Sequence, residues 1–272
     1  MFADLHKRTG SRTGQLACGA VLAHRRSGSG PPLLLLHGIG LWSGCWEPVR
    51  GILERDREVI AVDLPGFGDS PVLPGPPSVE ALADAVERFA ADLGLERWRV
   101  AGNSLGGGIA LELGARGSVG SVCALSPIGF AAGREDAYSR ATLRSIHALA
   151  RALDPVAEVA YGGPVRRTLL TNLIFARPWR IPVEDIVAGS RATARGPGFL
   201  PTLPEISRWR PREPACPTTV AWGERDRLLI YSRQAPRAAR RIPRARHVTL
   251  RGCGHVPMWD DPEQVARVLL DA

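Results

Sequence analysis

A chain of 272 residues with 44% hydrophobic content can fill one large domain carrying an insertion, or two small ones. Its net charge of +8 rests on 35 basic residues of which only Lys7 is a lysine, and with no basic tail or nucleic-acid motif beside it the surplus argues for no nucleic-acid partner. The first residues lack an apolar signal core and no apolar run reaches the ~18 residues of a membrane span, so a soluble cytoplasmic protein with no membrane partner is expected.

Taken in order, the chain predicts a strand over 16–24, a loop through RRSGSGPP, and a buried central strand at Leu33 to Leu36. His37, Gly38, Ile39 and Gly40 follow, and Ser43 is placed to cap a helix running to about Leu53. Glu58 to Val62 reads as the next strand and ends in the turn Asp63 to Gly68. Ser78 to Leu93 carries apolar residues at helical spacing, with Gly94 as its stop. Trp98 to Leu113 reads as strand, sharp turn and helix, although Arg97 and Arg99 break the apolar run that opens it. Further strands are expected at Val119 to Leu125, Thr218 to Trp222 and His247 to Leu250, with a last helix from Pro262. Strands alternating with helices imply an α/β fold with a doubly wound, mostly parallel sheet.

The turn in Trp98 to Leu113 holds Ser104, with Gly102 two residues before it and Gly106 two after. A chain with 30 glycines can produce this G-x-S-x-G pattern by accident. Its neighbourhood raises its weight: Gly107 and Gly108 stand in the first helical turn, where each costs about 1 kcal/mol relative to alanine. They make sense if the helix packs very close to neighbouring strands. A serine at such a turn is held in a strained conformation with its hydroxyl clear of the backbone. The amide of Leu105, at the helix N-terminus, then points toward the same space.

Four motifs, HGIG at His37 to Gly40, DLPGFGDS at Asp63 to Ser70, GNSLGG around Asn103 and GHVPMWDDP at Gly254 to Pro262, agree in order and spacing with one family. Over Leu33 to Leu125 and from about Pro214 onward the chain resembles the α/β-hydrolase fold family. The resemblance implies a Ser, Asp, His triad, which falls on Ser104, on Asp226 in WGERDRL and on His255 in GCGHVP. It implies an oxyanion hole from the backbone N–H groups of Ile39 and Leu105. It also implies a helical cap over 128–212, inserted between core segments 1–127 and 213–272.

The chemistry suits these residue types. A serine hydroxyl needs a base, histidine titrates close enough to neutrality to take and return its proton, and the acid orients the imidazole. Of the six histidines only His255 lies in a glycine-rich loop between strand and helix, while His6, His24, His37, His147 and His247 sit elsewhere. Glu224 is the main rival acid, Asp260 and Asp261 read as charges at a helix N-terminus, and in the resembled family the Asp63 turn is mainly structural. Trp42, Asn103 and Val256 are candidate substrate-binding residues, Trp42 packing by the pocket with Trp46 and Asn103 either donating into the site or packing the elbow.

Between Gly129 and Arg212 thirteen arginines face seven acids. Either this is a solvated arginine-rich surface or one of them meets an anionic substrate group such as a carboxylate. The five cysteines are odd in number, scattered and without metal-ligand spacing, so buried free thiols, no metal and no cofactor are expected.

Esterase, thioesterase or lactonase chemistry on a small-molecule substrate leads. Dehalogenases and epoxide hydrolases of the resembled family use an aspartate nucleophile, where this chain has Ser104. Its carbon–carbon bond hydrolases of ring-fission type share GNS-x-GG but usually follow the catalytic histidine with tryptophan, where this chain has Val256. Biosynthetic cyclases, acyl transferases and ligand-binding proteins that reuse the fold complete the alternatives.

Overall fold

The computed structural model describes residues 22–272. Seven strands form one sheet: β1 (His24–Ser27), β2 (Pro32–Leu36), β3 (Glu58–Val62), β4 (Arg99–Asn103), β5 (Ser121–Leu125), β6 (Thr218–Gly223) and β7 (Arg246–Leu250). Their spatial order is β1-β3-β2-β4-β5-β6-β7, with β1 antiparallel to β3 and every other pair parallel. The parallel doubly wound sheet expected from the alternation of elements is what forms.

The strand over 16–24 is the one element displaced. Its first residues, 16–21, lie outside the described residues, and the strand begins where the predicted one ends, running through Arg25 and Arg26 of the expected loop. Polar residues are stable there because β1 is an edge strand, held by its backbone ladder to β3.

Inside the sheet, period-two alternation sorts the side chains. Leu34 and Leu36 of β2 pack on one face with α2 (Val79–Asp92), α3 (Leu105–Arg116) and α9 (Tyr231–Arg241). Leu33 and Leu35 pack on the other with α1 (Glu47–Leu53) and α10 (Pro262–Leu270). Helix α2 starts as its sequence requires, the Ser78 hydroxyl accepting from the Ala81 N–H at 3.1 Å. Ser43 makes no such cap. It opens a single 3-10 turn ahead of α1, and its backbone N–H donates to Asp63 Oδ1 at 2.6 Å.

Between β5 and β6 the chain leaves the sheet as helices α4 (Arg134–Leu153), α5 (Ala157–Tyr161), α6 (Pro164–Thr171), α7 (Val183–Arg195) and α8 (Phe199–Arg208). They enclose a small apolar cluster of their own around Tyr161, Ile181 and Ile186. Among the described residues no helix is long and apolar enough to cross a membrane.

The winding reverses at β2, since the chain steps from β2 outward to β3 and then returns to β4 on the opposite side. Parallel sheets leave a crevice beyond the carboxyl ends of the strands at such a point. Here it lies between the loop after β2 and the turn after β4.

Candidate active site

Ser104 sits in that crevice, at the turn from β4 into α3, with φ 56° and ψ −110°. A non-glycine residue in this region is strained, and the surroundings hold it there. The Ser104 N–H donates to the Leu125 carbonyl at 2.9 Å, and its own carbonyl accepts from Gly108 at 3.0 Å and Ile128 at 3.1 Å. The flanking glycines leave no alternative: a Cβ on Gly102 would strike the Gly106 carbonyl, and one on Gly106 would strike the Leu36 carbonyl. Gly107 and Gly108 divide in their neighbours. Gly107 packs on the Gly102 carbonyl of β4 as expected and also on Pro127, whereas Gly108 packs on Ile128 just after β5 and on Trp209 rather than on a strand.

His255 is buried in the loop between β7 and α10, and its Nδ1 lies 2.8 Å from Asp226 Oδ2. Asp226 follows β6, and its second oxygen accepts the N–H groups of Leu228 at 3.0 Å and Leu229 at 2.9 Å. A carboxylate fixed on both oxygens sets the direction of the imidazole and puts the proton on Nδ1, leaving Nε2 as the basic nitrogen. Glu224, the rival acid, is exposed and accepts the Gly252 N–H at 2.9 Å instead.

The loop after β2 is set by His37. Its Nδ1 donates to the Gly38 carbonyl at 2.8 Å and its Nε2 accepts the Leu64 N–H at 2.9 Å, which fixes the neutral ring in one tautomer. Burial pushes its pKa below the ordinary 6.5, outweighing the Gly38 hydrogen bond and the Asp63 charge that pull upward. Asp63 spends both oxygens on backbone, taking the N–H groups of Ser43 at 2.6 Å and Asp69 at 3.0 Å, in keeping with a structural turn. The backbone N–H groups of Ile39 and Leu105 take no acceptor among the described residues.

Ser104 and His255 line a common cavity of about 1080 Å³, open solvent at its mouth included. Trp42, Asn103 and Val256 line it too, whereas Trp46 is buried in the core beneath the sheet. Its roof comes from the inserted helices, with Leu143, Tyr161, Ile186 and Phe199 among the contributors. None of the thirteen arginines between Gly129 and Arg212 lines this cavity. Several are held by acids, Arg191 and Arg195 by Asp154 and Arg212 by Glu112, as a solvated surface would have them.

A model of the alpha/beta hydrolase family matches residues 33–268, nearly the whole described chain. The chain belongs to the alpha/beta hydrolase family. Among its relatives, an uncharacterized protein of Mycobacterium tuberculosis is 30% identical over 258 residues, covering 88% of this chain and 74% of its own. An epoxide hydrolase of the same organism is 29% identical over 211 residues, 71% of this chain and 93% of its own. The crystal structure of a bacterial membrane phospholipase A superposes with a TM-score of 0.71 at 28% identity, covering 92% of this chain and 82% of that one.

Several residues shape the site through contacts that their place in the sequence does not show. Asn103, fully buried, donates through Nδ2 to the carbonyls of His255 at 2.9 Å and Leu125 at 3.2 Å, so the residue before Ser104 anchors the histidine loop. Asp260 departs from the expected helix charge. It accepts the N–H groups of Gly254 at 2.7 Å, Arg177 at 2.7 Å and Ala176 at 3.0 Å, tying the histidine loop to the insertion, while Asp261 alone caps α10 through Gln264 at 3.0 Å. From the insertion side, the Ile174 carbonyl accepts the N–H groups of His255 at 2.8 Å and Val256 at 3.1 Å. His147 donates to the Thr193 carbonyl at 2.8 Å and stacks on Phe199. The Thr193 hydroxyl in turn donates to the Gly40 carbonyl at 2.8 Å. Cys45, Cys123 and Cys253 are buried free thiols as expected, Cys216 is only half-buried, and Cys18 lies outside the described residues, as does His6.

Proposed function

We propose that this protein is a serine hydrolase that cleaves an ester, thioester or lactone of a small, largely apolar substrate through an acyl-enzyme on Ser104. One observation carries the reading: a strained serine and an aspartate-oriented histidine open onto one apolar cavity beside two unused amides.

In this reading His255 Nε2 takes the proton of Ser104 as its Oγ attacks the substrate carbonyl carbon. The carbonyl electron pair moves onto oxygen, where the N–H groups of Ile39 and Leu105 stabilise it. Collapse breaks the bond to the alcohol or thiol, and His255 returns the proton to that leaving group. Water, deprotonated by the same nitrogen, repeats the sequence on the acyl-enzyme and releases the acid. Asp226 holds the imidazole and stabilises its cation throughout. Trp42 and Val256 shape the wall beside the reacting carbonyl, and Asn103 supports the His255 loop. The helices over 128–212 act as a cap that excludes water and sets the acyl chain accepted. The epoxide hydrolase relative does not alter this, because opening an epoxide in this fold calls for an aspartate where this chain has Ser104.

The test is intact-protein mass spectrometry after a fluorophosphonate, with a Ser104→Ala control, followed by turnover of p-nitrophenyl esters. We expect one adduct, its loss in the variant, and a fall in turnover of about 10³-fold or more. Folded protein that takes no adduct would overturn the reading in favour of a receptor or noncovalent cyclase.

A further inference from the structure

Ser104 faces a second, smaller cavity of about 540 Å³, open solvent included. It shares Ile39, Ser104, Leu143 and Leu228 with the larger one, so the two meet at the serine as arms of one site. Gln234, from the first turn of α9, lines the smaller arm. Its side chain is 0% exposed, and neither Oε1 nor Nε2 has a partner among the described residues.

Buried polar groups are almost always hydrogen-bonded, and leaving both ends of a carboxamide bare costs more than a leucine of similar volume would. The other polar side chains of this arm are largely spent. Ser139 donates to the Leu228 carbonyl at 3.2 Å, Asp136 accepts from Ser207 at 2.8 Å and pairs with Arg140 at 3.4 Å, and Arg210 donates to the Ser207 and Trp209 carbonyls. What stays unpaired is the Gln234 carboxamide and the buried Nε of Arg140. One acceptor and adjacent donors suit a neutral group that both gives and takes hydrogen bonds. The charge of Arg140 is already met by Asp136, and Arg210 is exposed and held by carbonyls, so no buried charge calls for an anion.

We infer that the smaller arm is a polar subsite for the leaving alcohol, in which the Gln234 carboxamide recognises a hydroxyl or amide on that alcohol. The inference rests on the serine-hydrolase reading and assigns the acyl chain to the larger apolar arm and the alcohol to the smaller one across Ser104. The substrate class narrows to an apolar acyl ester of a hydroxylated or amide-bearing alcohol. Gln234 is a specificity residue and takes no part in bond breaking.

The test compares a matched pair, the 2-hydroxyethyl and n-propyl esters of one apolar acid, as the ratio of their kcat/KM values in the wild type and in Gln234→Leu. We expect the wild type to favour the hydroxyethyl ester by about tenfold or more, because a site built to bond a hydroxyl rejects the analogue lacking it. In Gln234→Leu the ratio should fall close to one, while Tm stays equal or rises, since an unpaired buried amide has been replaced by an apolar isostere. A purely structural glutamine would lower Tm on substitution and leave the ratio alone. Gln234→Met gives the same comparison should the leucine variant not fold. Fluorophosphonate labelling of Ser104 separates the two readings. Label present with an unchanged ratio, or a wild type indifferent to the hydroxyl, overturns the subsite and assigns the amide to ordered water. Absence of label in the wild type overturns the serine-hydrolase reading and the subsite with it.

Discussion

His37 shows how a single residue prepares the site without touching the reaction. Its two ring nitrogens span the Gly38 carbonyl and the Leu64 N–H, so the loop that carries the Ile39 amide is held from the inside. A buried ring with a depressed pKa also makes the fold sensitive to acid. The unfolded chain binds a proton at the ordinary 6.5 and the folded chain only at a lower pH, so the unfolded state holds more protons between the two values. The contribution of His37 to stability is therefore complete above 6.5 and lost as pH falls toward the depressed value. Denaturant titrations between about pH 8 and about pH 5 should show stability falling on acidification. In His37→Asn, which keeps a hydrogen-bonding amide but removes the titrating ring, the slope should shrink by up to one proton; an unchanged slope would refute the assignment.

At the scale of elements, the loop between β7 and α10 is held by contacts from outside its own chain neighbourhood. Asp260 collects N–H groups from Gly254 within the loop and from Ala176 and Arg177 of the insertion. Burial raises its pKa against those hydrogen bonds. Replacing it with alanine strands the buried Gly254 donor and two half-buried ones, an unmet buried donor costing about 1–3 kcal/mol. Asp260→Ala should lower stability by about 2–4 kcal/mol in urea titrations and reduce kcat beyond the loss of folded protein, because the backbone on which His255 sits is no longer fixed. Retention of full kcat in the remaining folded fraction would show that the loop holds its shape without the insertion.

Across the whole molecule, sheet and insertion are joined at separate places around the cavity. Glu112 of α3 accepts from Trp209 and Arg212 where the chain returns to the sheet, Gly198 donates to the Gly66 carbonyl, and Thr193 reaches Gly40 beside the Ile39 amide. The roof of the cavity thus bears on the loop that would receive the substrate oxygen. Thr193→Val keeps the shape, removes the hydroxyl and leaves the buried Gly40 carbonyl short of a donor, a loss of about 1–2 kcal/mol. Thermal unfolding should report that loss, and kcat/KM for an ester should fall severalfold. A stability loss with unchanged kinetics would confine Thr193 to packing.

Much of this was legible in one dimension. The strand at Glu58–Val62, the Ser78 cap and the Pro262 helix follow from local sterics, capping chemistry and hydrophobic period, all carried by adjacent residues. So does the elbow, because two glycines around a serine are a steric requirement of the turn itself. The motifs of the resembled family likewise point to Asp226 and His255 from the sequence alone. Tertiary structure alone decided the rest. Polar β1 is a strand only because β3 offers it a ladder, Ser43 serves Asp63 rather than a helix cap, and several of the insertion's arginines turn to acids or carbonyls, none of them lining the larger cavity. Gln234 looks like any surface glutamine until its neighbours close over it. These outcomes depend on through-space pairing between segments distant in sequence, and burial and partner choice are properties of the folded chain that local pattern does not carry.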